Sequence, residues 1–326
     1  MNKDGFEKTR PRLAVIGAGN WGMNHVKTLN KLGVLAAVAE ADSIKREQLK
    51  AEYPSVDFYE DHNMMLADNS IAGAVVATPA FTHCKVARDV LLAGKDVLIE
   101  KPMTMNLSEA DELIALASYR EKILMVGHIL LYCPAVRAIK KVLKNGEIGS
   151  IIHMEMRRLK LGKVRREENV FWSFAPHDLS VMLHFVESDI EKVHAIGINA
   201  MQPGIADDVR CHFAFKSGAR AHIHSSWLWP EIERKTVIVG TKGMIIYDEY
   251  NNEAHLLRKR VDGDLNIKDD GITEIIYDKS APLLELEDSH FIECIKKRKN
   301  PITDGMNGRR VIEILMRTDE ELARNQ

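Results

Sequence analysis

The sequence predicts an α/β chain in two parts. A doubly wound parallel sheet is expected over residues 1–128, and an α+β part over 129–326 built on a large, open, mostly antiparallel sheet. Three observations predict this. Up to residue 128, short apolar runs alternate with helical stretches, which is the pattern of βαβ units. A glycine-rich turn joins the first run to the first helix. Beyond Lys192, strand-like segments follow one another directly, separated by turn signals at Lys216-Ser217-Gly218 and Thr241-Lys242-Gly243. Strands in succession pair antiparallel.

The elements run as follows. Arg12–Ile16 is a short buried run closed by glycine, and Trp21–Leu32 is an amphipathic helix. Val34–Ala39 reads as the next strand and Ser43–Tyr53 as a charged helix. Ile71–Ala77 and Asp96–Ile99 are further strands, flanking a helix over His83–Ala93 that closes at Gly94. Ser108–Arg120 reads as a helix with Ser108 as its N-cap and Asp111 three residues on. Ile123–Val126 is a strand. The pattern changes after Gly127. Pro134–Asn145 is a helix ending at Gly146, Ile148–Lys160 a long strand, Gly162–Asn169 a polar loop and Asp178–Phe185 a helix. Strands follow at Lys192–Asn199, Val209–Lys216, Ala219–Trp227, Lys235–Gly240 and Met244–Asp248. Leu286–Lys297 and Arg309–Leu322 are closing helices.

Bulk properties exclude several classes. With 326 residues the chain buries a substantial core without staples. It is 45% hydrophobic and 28% charged, with net charge −2, so bulk electrostatics point to neither nucleic acid nor a membrane. Its four cysteines are scattered, without metal-ligand spacing, so no metal is expected and reduced thiols fit. MNKDGFEKTRPR has no apolar core of signal-peptide type, and no apolar run reaches membrane-spanning length. The expectation is a cytoplasmic protein.

Gly17-Ala18-Gly19-Asn20-Trp21-Gly22 is a GxGxxG turn between a strand and a helix. Its glycines serve the tight turn, backbone approach to a pyrophosphate, and close helix–strand packing. The helix N-terminus offers free N–H groups to phosphate. Glu40 ends the second strand, where a carboxylate accepts from a ribose diol and repels a 2′-phosphate, which favours NAD over NADP. Asp42 is the alternative acid. Thr78 and Pro79 end another strand and line the same carboxyl edge, and His83, on the next helix, is either a further cofactor contact or an exposed helix residue. Glu100-Lys101-Pro102 ends the strand over 97–99, as a solvated turn or as site residues. His177, between Pro176 and Asp178, is either a general base near neutral pH or one more of 13 histidines.

Taken in order, these motifs resemble the glucose–fructose oxidoreductase, inositol dehydrogenase and rhizopine-catabolism (Gfo/Idh/MocA) family. The resemblance rests on the fingerprint, ATPAFTH at 77–83, EKP at 100–102, LMVGH at 124–128, GEIGSI at 146–151, VIVGTKGMIIYD at 237–248 and PITDG at 301–305. It implies an NAD-binding Rossmann domain followed by a domain whose open sheet often forms an oligomer interface, hence a homodimer or homotetramer. It also implies that Lys101 is the catalytic lysine and His177 the second acid–base residue, with Glu100 beside the cofactor. The family often has an aspartate four residues before that histidine; here the position is Ser173. NVFWSFAPHDLS (169–180), VGHILLYCPAVR (126–137) and HSSWLWP (224–230) look like the branch of UDP-N-acetylglucosaminuronate 3-dehydrogenases and related sugar-nucleotide enzymes.

The implied reaction is oxidation of a sugar hydroxyl, C3 in that branch, by hydride transfer to NAD. Lys101, Arg165, Asn169, His177 and Asp178 are the expected substrate contacts. The basic stretch Lys160–Arg166, together with Arg158, reads either as an anion site for a diphosphate or uronate or as a solvated edge. A free-sugar or inositol dehydrogenase, and a non-catalytic NAD-sensing regulator, are the alternatives.

Overall fold

The computed structural model describes residues 10–324, so residues 1–9 of the polar N-terminal stretch lie outside them. The described residues divide into two units, 10–129 with 282–312, and 130–281 with 313–324. The first unit begins β1 (Arg12–Ile16), α1 (Gly22–Lys31), β2 (Leu35–Ala39), α2 (Ser43–Glu52) and β3 (Asp57–Tyr59). It continues with α3 (His62–Leu66), β4 (Ile71–Val76), α4 (His83–Leu92), β5 (Asp96–Ile99), α5 (Leu107–Tyr119) and β6 (Leu124–Val126). The six strands form one parallel sheet in the order β3-β2-β1-β4-β5-β6.

This order has a physical basis in the sequence. The strand residues Leu13–Val15, Ala74–Val76 and Val97–Ile99 are all buried, as required when helices cover both faces of a parallel sheet. The order reverses between β1 and β4, so the carboxyl edge of these strands opens a crevice at the switch point. Sequence patterning locates every strand here except β3, whose three half-exposed residues give no apolar run. It also misses the short helix α3. The N-cap of α5 is Asn106, whose side chain accepts from the Glu109 N–H, rather than Ser108; Glu109 in turn accepts from the Met105 N–H.

The second unit opens with α6 (Pro134–Lys144), β7 (Ile151–Leu161) and α7 (Val170–Val186). Then come β8 (Ile190–Ile198), β9 (Asp208–Phe215), β10 (Arg220–Ser226), β11 (Leu228–Gly240), β12 (Met244–Asp248), β13 (Glu253–Val261) and β14 (Ile267–Glu274). They build an eight-stranded sheet, order β14-β13-β12-β11-β7-β10-β9-β8, antiparallel except where β10 runs parallel to β7. Met154, Met156, Ala195, Cys211 and Phe213 are buried on one side of it, while the alternate positions Arg157, Arg210 and His212 are exposed. Sequence reading stopped at β12. β13 alternates only over Glu253–Leu256 before turning basic, and all eight residues of β14 are exposed, so no sustained apolar alternation marks them.

Two boundaries need correction. The helix over 178–185 in fact starts at Val170, with Pro176 and His177 inside it. Pro176 removes one helical donor, the bond to the Trp172 carbonyl, but the rest of the apolar helix is buried and holds. The segment 129–326 is also not one piece. α8 (Leu283–Lys297) belongs with the first unit, and α9 (Gly305–Arg324) begins there and ends in the second. Gly308 shows how closely α9 approaches the first sheet: an added Cβ would stand 2.8 Å from Val126 Cγ2. Among the described residues no helix is long and apolar enough to cross a membrane, and all four cysteines are free and buried.

Candidate active site

In the first unit the candidate residues gather at the carboxyl edge of the parallel sheet. Gly17 leaves β1 with φ of +86°, a left-handed conformation that suits glycine, and an added Cβ would meet the Ala77 carbonyl oxygen at 3.0 Å. A Cβ on Gly22 would stand 1.9 Å from the Gly17 carbonyl oxygen, so the turn closes only with glycine there. Around Gly19, by contrast, an added Cβ meets nothing within 4 Å. That open side, next to the N-terminus of α1, is where backbone N–H groups can receive a pyrophosphate. Asn20 and Trp21 are exposed on the same turn.

Glu40 ends β2 as expected, and its carboxylate accepts from the Ala18 N–H (2.9 Å) and the Asp42 N–H (3.0 Å). It is thereby fixed beside the glycine turn, in the position suited to a ribose diol. Asp42, the alternative acid, is the N-cap of α2 and accepts from the Ile44 and Lys45 N–H groups, which explains its residue type without a ligand. Thr78 and Pro79 follow β4 as read. The expectation that His83 meets the cofactor is corrected. Its ring is buried, with one nitrogen 2.8 Å from the Pro102 carbonyl oxygen and the other 2.8 Å from that of Thr78. It ties two turns of the edge together, and burial lowers its pKa.

Glu100, at the end of β5, is the hub of the edge. Its Oε1 accepts from the Trp21 indole N–H at 2.5 Å and lies 2.9 Å from His25 Nε2, and its Oε2 accepts from the Lys101 N–H at 3.1 Å. Burial raises its pKa and the bonds from His25 and Trp21 lower it, with the balance downward, so the group is a carboxylate. Lys101 is half-buried, and the Lys101–Pro102 peptide is cis. The turn carrying the lysine is therefore anchored to the dinucleotide turn through Trp21 and to α1 through His25.

His25 is buried, with Nδ1 3.0 Å from Asp288 of α8. Burial pushes its pKa down, but Asp288 and Glu100 outweigh that and hold it well above the usual histidine range. His128, just past β6, is buried with neither ring nitrogen hydrogen-bonded; burial lowers its pKa to about 4, so it is neutral at physiological pH. Sequence reading singled out none of His25, His128, Glu287 or Asp288. The spacing of His25, three residues past the last glycine, was visible but carries no chemistry by itself. The pair on α8 gave no local signal, Asp288 lying 263 residues from His25.

In the second unit, α7 carries His177, half-buried, with Ser173 one turn earlier on the same helical face. The helix starts where it does because the Asn169 side-chain oxygen accepts from the Phe171 and Trp172 N–H groups. The Asn169 amide also donates to Asp319 (2.9 Å), which accepts from the Trp172 indole as well (2.6 Å). Asn169 as a substrate ligand is thus corrected to a helix cap, since both ends of its amide are engaged. Asp178 is likewise corrected. It is buried and bound bidentately by Arg158, at 2.8 and 2.9 Å, while Arg158 also reaches Glu249 at 2.8 Å. Arg158 is therefore removed from the candidate anion site. Arg165 and Arg166 remain exposed on the loop after β7, with Arg165 3.9 Å from Glu168, and Lys160 lies over the Phe174 ring.

Comparison with known proteins agrees with this geometry. Residues 136–246 match the GFO/IDH/MocA C-terminal domain. Residues 11–128 match the NAD-binding Rossmann fold of the same oxidoreductase family, so the cofactor of this unit is NAD. The UDP-N-acetylglucosamine 3-dehydrogenase of Acidithiobacillus ferrooxidans is 28% identical over 310 residues, covering 92% of this chain and 94% of that protein. Its solved structure superposes with a TM-score of 0.85 at 26% identity, over 96% of this chain and 98% of that one. A scyllo-inositol 2-dehydrogenase (NAD(+)) of Bacillus subtilis is 25% identical over 317 residues, covering 93% and 91%. These relatives are dehydrogenases acting on hydroxyl groups of sugars or inositols, and with a glycine turn, an acid-ended second strand and an anchored EKP lysine in one Rossmann unit, this chain belongs to the GFO/IDH/MocA oxidoreductase family.

Proposed function

We propose that this enzyme oxidises a secondary hydroxyl, C3, of a UDP-linked amino sugar or its uronate, with Lys101 and His177 handling the hydroxyl proton. The observation that carries the reading is the anchoring of Lys101. Its backbone N–H is held by Glu100, which also holds the dinucleotide turn through Trp21, so the turn that carries the lysine is fixed at the carboxyl edge of the sheet. A bound nicotinamide supplies the hydride acceptor. Lys101 hydrogen-bonds the substrate oxygen and stabilises developing alkoxide charge. His177 takes the hydroxyl proton. With Ser173 one turn before it in place of the family aspartate, no carboxylate stands at that position to share this work. The sugar-nucleotide substrate is supported by the 28% identity to the UDP-N-acetylglucosamine 3-dehydrogenase across nearly the full length of both chains.

Activity should appear as NAD reduction with UDP-N-acetylglucosamine or its uronate, and not with free inositols. Lys101→Met and His177→Asn should each lower kcat by about 10²–10⁴-fold; wild-type kcat in either variant overturns the assignment. A free-inositol dehydrogenase is the second reading, favoured by the Bacillus subtilis relative. Turnover of inositols with UDP-sugars inert would establish it. A homodimer or homotetramer is proposed with either substrate.

A further inference from the structure

The first unit contains a buried carboxyl that the proposed reaction does not use. Glu287, on α8, is 0% exposed, and neither of its oxygens has a hydrogen-bond partner. It offers an oxygen to a group that also includes one ligand atom each of His25 and Glu100, all within 4.8 Å of one another. An ionised carboxyl in that place would be an uncompensated charge next to a second carboxylate, which a dry interior does not sustain.

The proton count of the cluster follows from its hydrogen bonds. His25 reaches Asp288 through Nδ1 and Glu100 through Nε2. A ring that donates from both nitrogens is an imidazolium. Its one positive charge faces the Glu100 carboxylate and the carboxyl of Asp288, whose pKa burial raises against the pull of His25. A further negative charge at Glu287 would compete with Glu100 for His25. Burial first, then Glu100, hold the Glu287 carboxyl well above its ordinary range.

We propose that Glu287 is a positioning residue that keeps its proton at neutral pH, so that Glu100 holds Trp21, His25 Nε2 and the Lys101 backbone without competition from Glu287. This rests on the reading of Lys101 as the proton-handling lysine. The charged and titratable groups around it are His25 from α1, Glu100 and Lys101 at the end of β5, and Asp288 on its own helix; His128 after β6 lies in the field of Glu100 and Lys101. When Glu287 ionises at alkaline pH, His25 is drawn from Glu100 and the turn carrying Lys101 loosens. The kcat profile then falls on its alkaline side for a reason that a glutamine cannot reproduce.

The test joins spectroscopy to kinetics. Isotope-edited infrared spectra of full-length enzyme labelled with 13C-glutamate should show a protonated-carboxyl C=O band at pH 7. That band should be absent in Glu287→Gln and should give way to a carboxylate band as pH rises. In Glu287→Gln the alkaline limb of kcat should move up by about one pH unit, a ten-fold change in proton affinity, while KM for NAD changes less than about two-fold. Absence of the protonated band overturns the proposal, as does an unmoved alkaline limb. So does a stoichiometric metal ion found by elemental analysis and lost in the variant, since these residues would then be ligands. The infrared band and its titration are read in the wild-type enzyme without turnover, and only its assignment to Glu287 uses the variant. A failed substrate assignment therefore leaves this result readable on its own.

Discussion

Replacing Arg158 by methionine isolates the energetic role of the ion network beneath His177. Arg158 binds Asp178 with two hydrogen bonds and Glu249 with two more. The side chains are 12%, 5% and 18% exposed, so the pair belongs to the interior. The two acids do not lose equally in Arg158→Met. Glu249 keeps Arg234, at 3.2 Å, but among the described residues Asp178 has hydrogen bonds from Arg158 alone. The substitution therefore leaves one buried carboxylate without a counter-charge, which costs about 3–5 kcal/mol. For a unit of this size that is roughly 6–20 °C in Tm. By contrast, the exposed Arg165–Glu168 pair should contribute about 1 kcal/mol or less. The pH dependence has a definite sign. Burial raises the Asp178 pKa and Arg158 opposes that rise, so losing Arg158 lifts it further. An acid whose folded pKa is raised weakens the fold as pH climbs above its unfolded value, so the deficit should grow from pH 5 to pH 8. Thermal and urea melts read it out. Arg158→Met/Asp178→Leu should recover most of the loss, because no unpaired buried charge remains once Asp178 is gone and Glu249 keeps Arg234. A single-variant loss below about 1 kcal/mol, or a double variant no more stable than the single, would refute the reasoning.

Two further outcomes test the ligand contacts. Glu40→Ala removes a charged acceptor worth about 1.5–3 kcal/mol, so fluorescence titration should show NAD affinity reduced roughly 10–150-fold, with NADP discriminated against less strongly than in the wild type. Arg165→Glu should raise KM for the UDP-sugar at unchanged kcat; an unchanged KM would make the loop after β7 a solvated edge.

What the sequence disclosed was what acts locally. β1, α1 and the acid ending β2 are contiguous features, each with a short-range physical signature: an apolar run, an open glycine turn, a carboxylate at a strand terminus. Asn169 and Asp178 were visible as polar residues close to His177, but their duties were not, because their partners are remote. Asp319, which accepts from Asn169, lies 150 residues on, and Arg158, which holds Asp178, stands on β7 rather than on the helix. A polar residue near a candidate histidine reads the same whether it faces a ligand or caps a helix. His83 was misjudged for a related reason: its ring nitrogens lie against the backbone oxygens of Thr78 and Pro102, and backbone partners leave no trace in residue types.

The stretch containing Glu287 and Asp288 carries this point furthest. LELEDSH reads as the acidic, solvated face of a closing helix, and Glu285 indeed pairs with Lys31 at the surface. Two residues later the helix has turned its other face inward, and Glu287 and Asp288 are both 0% exposed. Helical periodicity gives the angle between Glu285 and Glu287 but not which of the two faces is buried, since all the residues concerned are acids. That choice is made by what α8 meets: the imidazolium of His25, itself held by Glu100. The acids of α8 thus take their place from the same carboxylate that anchors Lys101, and the candidate site extends inward to a helix that the sequence assigns to the other end of the chain.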